Sequence, residues 1–190
     1  MSSMTGSVTA GLYAALLLAR GRIEGLSLVA ADAHAAGRSF WALVPCLSIV
    51  VGMRLLAVAP AAPGLSHAHA LARDVLVFAV SWFAYALLSH RVARALGIPQ
   101  RWPRFIAAWN WCNVLENLLV LLGALPGVLG APTIIDQACQ LFALGWALWI
   151  EWYATRTALG VAALVAVWLV MVDETIGLMA NGLAQALGSG

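Results

Sequence analysis

The chain has 190 residues, 63% of them hydrophobic and only 9% charged, where a soluble domain carries roughly a quarter charged residues. This composition excludes a water-facing globular surface, and the length leaves room for several spans of about 20 residues but for no separate soluble domain. The formal charge of +2 comes from ten scattered arginines and no lysine, which excludes the dense basic patch that nucleic-acid binding requires.

Residues Ser7 to Arg20 read as a short amphipathic or half-buried helix. With roughly 12 apolar or small residues it is too short to span the hydrocarbon core, and it is expected at the interface. No basic residue precedes its apolar run from Val8 to Ala19, so it lacks the n-region of a secretory signal and is expected to stay in the mature protein. Gly21, Gly25 and Gly37 punctuate the next stretch, to Ser39, as a connector.

The first span is predicted from about Phe40 to Ala59, ended by Pro60, Pro63 and Gly64. The second runs from about Asp74 to Leu96, with His90, Arg91 and Arg94 in its last turns. A third, from about Arg104 to Leu125, stops at Pro126-Gly127, and the fourth covers about Thr133 to Tyr153. After a brief hinge at Ala154 to Thr157, a fifth begins near Ala158 and reaches about Met179. The predicted fold class is therefore all-α, a polytopic membrane helix bundle with about five spans plus an N-terminal interfacial helix. Its expected organisation is an N-terminal segment over 1–39, a transmembrane domain over 40–180 and a short exoplasmic tail over 181–190.

Short loops rich in arginine are retained in the cytoplasm. With the N-terminus inside, Arg20, Arg22, Arg38, Arg91, Arg94, Arg101, Arg104 and Arg156 fall inside, and only Arg54 and Arg73 outside. Trp41, Trp102, Trp149, Trp152 and Tyr153 lie near the same cytoplasmic ends, where indole and phenol rings prefer the headgroup level. A stripe of Trp146, Trp149, Trp152 and Tyr153 reads as aromatic belt and packing, with a quinone or pigment site as the alternative. The arginine and alanine bias points to a GC-rich bacterial source, hence the inner membrane, with the C-terminus periplasmic.

Ionisable groups at membrane depth cost a few kcal/mol each and mark candidate functional positions. The third span has the densest set, Asn110, Asn113, Glu116 and Asn117. At about 100° per residue the three asparagines fall within roughly 60° of one another, flanked by Glu116. Asp136, Gln137, Gln140 and Glu151 follow on the fourth span, and Asp173, Glu174, Asn181 and Gln185 on the fifth. Two readings stand: a cation or proton path in which Glu116 carries exchangeable charge, or interhelical hydrogen bonds worth around 1 kcal/mol each. Arginine pairing would make the acids structural; Arg54 is placed to reach Asp74, Asp136 or Asp173, and Arg104 and Arg156 lie near Glu151 in depth.

Cys46, Cys112 and Cys139 sit in apolar stretches without a CxxC or Cys/His cluster and read as small buried hydrophobes. His67-Ala-His69 lacks a third metal ligand, and His90 is the only histidine near a span, so neither a metal nor a b-type haem is expected. There is no P-loop, GxGxxG, GxSxG or HExxH. No catalytic residue, cofactor or enzymatic activity is expected. Ala143 and Ala147, and Gly160, Ala162, Ala163 and Ala166, are spaced for close helix contact.

A cytoplasmic N-terminal region, five closely spaced spans, a very short exoplasmic C-terminus and the third-span opening Arg104-Phe-Ile-Ala-Ala-Trp-Asn-Trp-Cys-Asn resemble the Yip family. The likeness covers about Phe40 to Met179 and is one of layout. It implies membrane residence and no catalytic residue; the motifs of the trafficking members are not evident, so their GTPase-linked role is not carried over. The stretch from Arg20 to Trp41 also looks like the opening of small alphaproteobacterial inner-membrane proteins. The leading expectation is a non-enzymatic scaffold or accessory subunit in contact with the bilayer, with membrane-protein partners or self-association. The alternative is a small transporter or channel component using Glu116 and its neighbouring asparagines.

Overall fold

The structure, a computed structural model, describes residues 2–29, 31–56 and 67–188. The predicted end of the first span at Ala59, with Pro60, Pro63 and Gly64, lies outside the described residues. All regular elements among them are helical: α1 (Ser2–Leu18), α2 (Ala33–Ser39), α3 (Leu43–Leu55), α4 (His67–Ala95), α5 (Trp102–Val128), α6 (Thr133–Leu159) and α7 (Ala163–Gly188), with short 3-10 turns at Ile23–Leu28, Phe40–Ala42 and Pro99–Arg101. Five helical stretches are long and apolar enough to cross a bilayer: Ala33–Leu55, Ala68–Ala95, Pro99–Val128, Thr133–Leu159 and Ala163–Ala186. At 1.5 Å per residue the longest reach about 40 Å, beyond the roughly 30 Å hydrocarbon core. Their outer faces carry Leu76, Leu87, Leu141, Phe142, Leu164 and Leu178, each more than half exposed in the isolated chain, as acyl-chain contact requires.

Several boundaries differ from the sequence reading. The first span begins earlier than Phe40, because Asp32 caps α2, its carboxylate accepting from the Ala35 N–H at 2.7 Å, and a 3-10 turn carries the helix into α3. The predicted connector is thus helical in its second half. Asp74 lies two turns inside α4. The third span passes through Pro126, whose missing N–H costs one hydrogen bond in the last turn, while the next N–H, of Gly127, donates to Asp136 at 3.1 Å.

The hinge expected at Ala154 to Thr157 is continuous helix, the Thr157 hydroxyl donating to the Tyr153 carbonyl at 2.6 Å. The chain turns instead at Gly160, where φ is +62°, and Arg101 donates to the Leu159 carbonyl at 2.8 Å. Glycine is required there by the left-handed backbone, and an added Cβ would strike the Arg101 guanidinium. The fifth span starts at Ala163 rather than near Ala158, and the expected tail is its continuation, so Asn181 and Gln185 belong to α7.

The five spanning helices form a ring. α5 and α6 pack along their length, α3 joins α5 to α4, and α7 joins α4 to α6. α1 and α2 buttress α5 from outside. Ala14, Ala15, Leu17 and Leu18 of α1 are buried, and the chain after it is tied down by α6: the Trp146 N–H donates to the Ala19 carbonyl at 3.2 Å and the Tyr153 hydroxyl to that of Gly21 at 2.7 Å. The Trp149 and Tyr153 rings of the aromatic stripe stack on one another at 5.4 Å. Trp146, Trp149 and Tyr153 of the stripe thus hold the segment after α1, while the Trp152 N–H donates to the Ala163 carbonyl at 3.2 Å.

The packed core lies in the half of the bundle that ends at Arg101, where Tyr85, Phe105, Ile106, Trp109, Cys112, Ile150 and Leu159 are nearly inaccessible. In the far half α5 and α6 are held by a small-residue contact. A Cβ on Gly123 would lie 2.6 Å from that of Ala143 and 3.1 Å from the Cys139 carbonyl. Gly123→Ala is expected to lower stability by about 1–3 kcal/mol through overpacking. Gly145→Ala, where the added methyl meets open space, should leave stability level or slightly raised. Unfolding of both variants in mixed micelles checks this, and equal midpoints would refute the close contact.

An acid-floored cavity within the helix ring

All five spanning helices contribute to a cavity of about 1500 Å³. Its far-half walls carry small and polar side chains where the other half has its aromatic core: Ala124 on α5, Gln137 and Gln140 on α6, Gly177, Asn181 and Gln185 on α7. Short side chains cannot fill the centre of a five-membered ring, so the helices enclose space. The cavity extends from these residues and the α3–α4 ion pairs down to Trp82, Trp109 and Glu151. Below it the ring is filled. Tyr85 packs on Trp109 at 4.8 Å and on Phe105 at 6.4 Å, and Trp82 meets Trp109 edge-on at 4.9 Å. The cavity is therefore blind toward the Arg101 end.

Its floor is acidic. Glu116 from α5, Glu151 from α6, and Asp173 and Glu174 from α7 all line it. Asp173 accepts from the Trp109 indole N–H at 3.1 Å, and Glu151 lines the same space. Glu151 is 4% exposed, and one oxygen each of Glu151 and Glu116 is buried without a hydrogen-bond partner among the described residues. The same holds for the Ser81 hydroxyl and the Trp82 indole N–H. An unpartnered buried polar group costs about 1–3 kcal/mol, so four around one space form a surface shaped for polar contents.

The basic residues of the cavity sit on α3 and α4, away from this floor. Arg54 and Arg73 both pair with Asp74, Arg54 through Nε at 2.8 Å and Arg73 at 3.2 Å. Of the three acids Arg54 was placed to reach, it pairs with Asp74. Among the described residues neither Arg104 nor Arg156 pairs with Glu151; the Arg156 guanidinium lies 5.3 Å over the Trp152 ring. The floor acids are not neutralised by the arginines expected near them.

The other polar candidates divide. Asn113 and Asn117 line the cavity, but each spends an amide N–H on its own helix, donating to the carbonyl four residues earlier at 3.1 and 2.8 Å. Asn110, expected on the same face, is fully buried and donates to the Ser39 hydroxyl at 2.7 Å, because α2 covers α5 at that level. Asp136 closes the α5–α6 turn, accepting from the Gly127 N–H and from the Gln140 amide at 2.8 Å. Neither Asn110 nor Asp136 is among the cavity-lining residues, and the Asn110 amide oxygen is itself buried without a partner among the described residues.

No family model, curated protein or solved structure matches this chain. Among the described residues no group of three His, Cys, Asp or Glu side chains is arranged to hold a metal ion. Sequence reading missed the α4 wall. Asp74, Phe78, Ser81 and Tyr85 recur at three- and four-residue spacing, a polar and aromatic stripe in an apolar helix that marks an inward face.

Proposed function

We propose that this bundle is a small cation- or proton-linked transporter, in which Glu116, Glu151 and Asp173 hold the exchangeable charge. The observation that supports this most is the uncompensated carboxyl floor of a cavity open along one half of the bundle and closed in the other. Hydrogen bonds between helices use Asp136 and the amide N–H of Asn110. What sets Glu116 and Glu151 apart is their place on the cavity wall, each with one buried oxygen that bonds to no described residue. Under the topology expected from the arginines, the cavity faces the periplasm and the aromatic floor faces the cytoplasm. The scaffold or accessory-subunit reading rests on absent catalytic motifs, minimal loops and small-residue helix faces; of those faces, Ala143 meets Gly123 within the chain.

Reconstitution tests the proposal. Vesicles containing the protein and an internal pH-sensitive dye should dissipate an imposed pH gradient or membrane potential faster than protein-free vesicles. Indistinguishable decay under proton, sodium and potassium gradients alike would overturn it.

A further inference from the structure

We propose that the cavity floor binds an organic cation, a protonated amine or quaternary ammonium with apolar substituents, between its carboxyl groups and the rings of Phe78, Trp82 and Trp109. This rests on the cation-linked reading of the same cavity and adds the chemical class of the solute. Three features favour an organic cation over a bare ion. Among the described residues no three of the acids are arranged as a metal-binding group, so their carboxyl groups are spread around the space where a small ion needs a tight oxygen cage. The floor is aromatic, with half-buried Phe78 against Trp82 at 5.5 Å and the buried Trp82 against Trp109 at 4.9 Å, and aromatic rings attract alkylammonium groups that shed water easily. The volume, about 1500 Å³, exceeds that of typical drug-sized ligand sites, roughly 300–1000 Å³.

Glu151 gives the site its second, independent mark, being 4% exposed, on the cavity wall and with one unpartnered oxygen. The two guanidiniums on Asp74 repel a compact hydrated cation more than one whose charge is sheathed in methyl or aryl groups. Apolar wall residues such as Val77 and Leu144 would take those substituents.

The full-length protein in mild detergent, titrated with benzyltrimethylammonium and followed by calorimetry and tryptophan fluorescence, tests this. Saturable binding is expected, with no competition from neopentylbenzene, the neutral carbon isostere. Glu151→Gln should weaken affinity by about tenfold or more, since a charge-assisted contact is lost, and Trp82→Phe by less. Equal binding of cation and isostere, displacement by equimolar sodium or potassium, unchanged affinity in Glu151→Gln, or no saturable binding would each overturn the inference. Binding without vesicle flux would leave the ligand class standing and remove the transport reading. Proton flux without organic-cation binding would do the reverse.

Discussion

Glu116→Gln is expected to reduce protein-dependent flux in vesicles to the level of protein-free controls. Glutamine keeps the length, planarity and most of the hydrogen-bonding capacity of glutamate, so the α5 wall should hold its shape. What disappears is the ability to carry charge and exchange a proton at membrane depth, where such a group is costly enough to need a reason for being present. Glu116 sits on α5 and lines the same cavity as the Arg54–Asp74 pair, Glu151 and Asp173, with one buried oxygen that no described side chain uses. Asn110→Ser, which alters the Ser39 contact outside the cavity, is expected to retain flux once folded. Parent-like flux in Glu116→Gln would remove this carboxyl from any transport role. Loss of flux in both variants, with intact folding, would mean that the cavity does not set the path.

Asp74→Ala should lower stability by about 3 kcal/mol, the usual scale for breaking a buried ion pair by removing one partner. The Arg54 and Asp74 side chains are only 9% and 15% exposed, and Arg73 leans on the same carboxylate. Without it two guanidiniums face each other across the join between α3 and α4. The double variant Arg54→Leu/Asp74→Leu removes the buried charge along with its partner and should recover much of the loss. Unfolding in mixed micelles, read by tryptophan fluorescence, gives all three values. A double variant less stable than Asp74→Ala would show that the pair contributes net stability at this position.

The number of spans and their rough limits were legible in the chain, because a 30 Å hydrocarbon core imposes a minimum apolar length that composition cannot disguise. The apolar runs around Val77, Val114, Ala143 and Val167 each became a spanning helix. Helix ends were less legible where a side chain from elsewhere decides them. Pro126 is tolerated within α5 because it falls in the last turn and Asp136 satisfies the following N–H. The turn after α6 falls at Gly160, where Arg101, from an earlier loop, takes the Leu159 carbonyl.

The intramembrane acids were legible as individuals. Glu116, Glu151, Asp173 and Glu174 stand out in apolar helices, and the cost of each marks it without any knowledge of its neighbours. Their convergence was decided only by the ring order of the helices, which sets α5, α6 and α7 around one space and turns the α4 stripe of Phe78, Ser81 and Trp82 to meet them. Helical periodicity places a residue on a face, and it placed Asn110 with Asn113 and Asn117. Which neighbour covers that face at each depth is a property of packing, so α2 took Asn110 while its two companions were left to line the cavity.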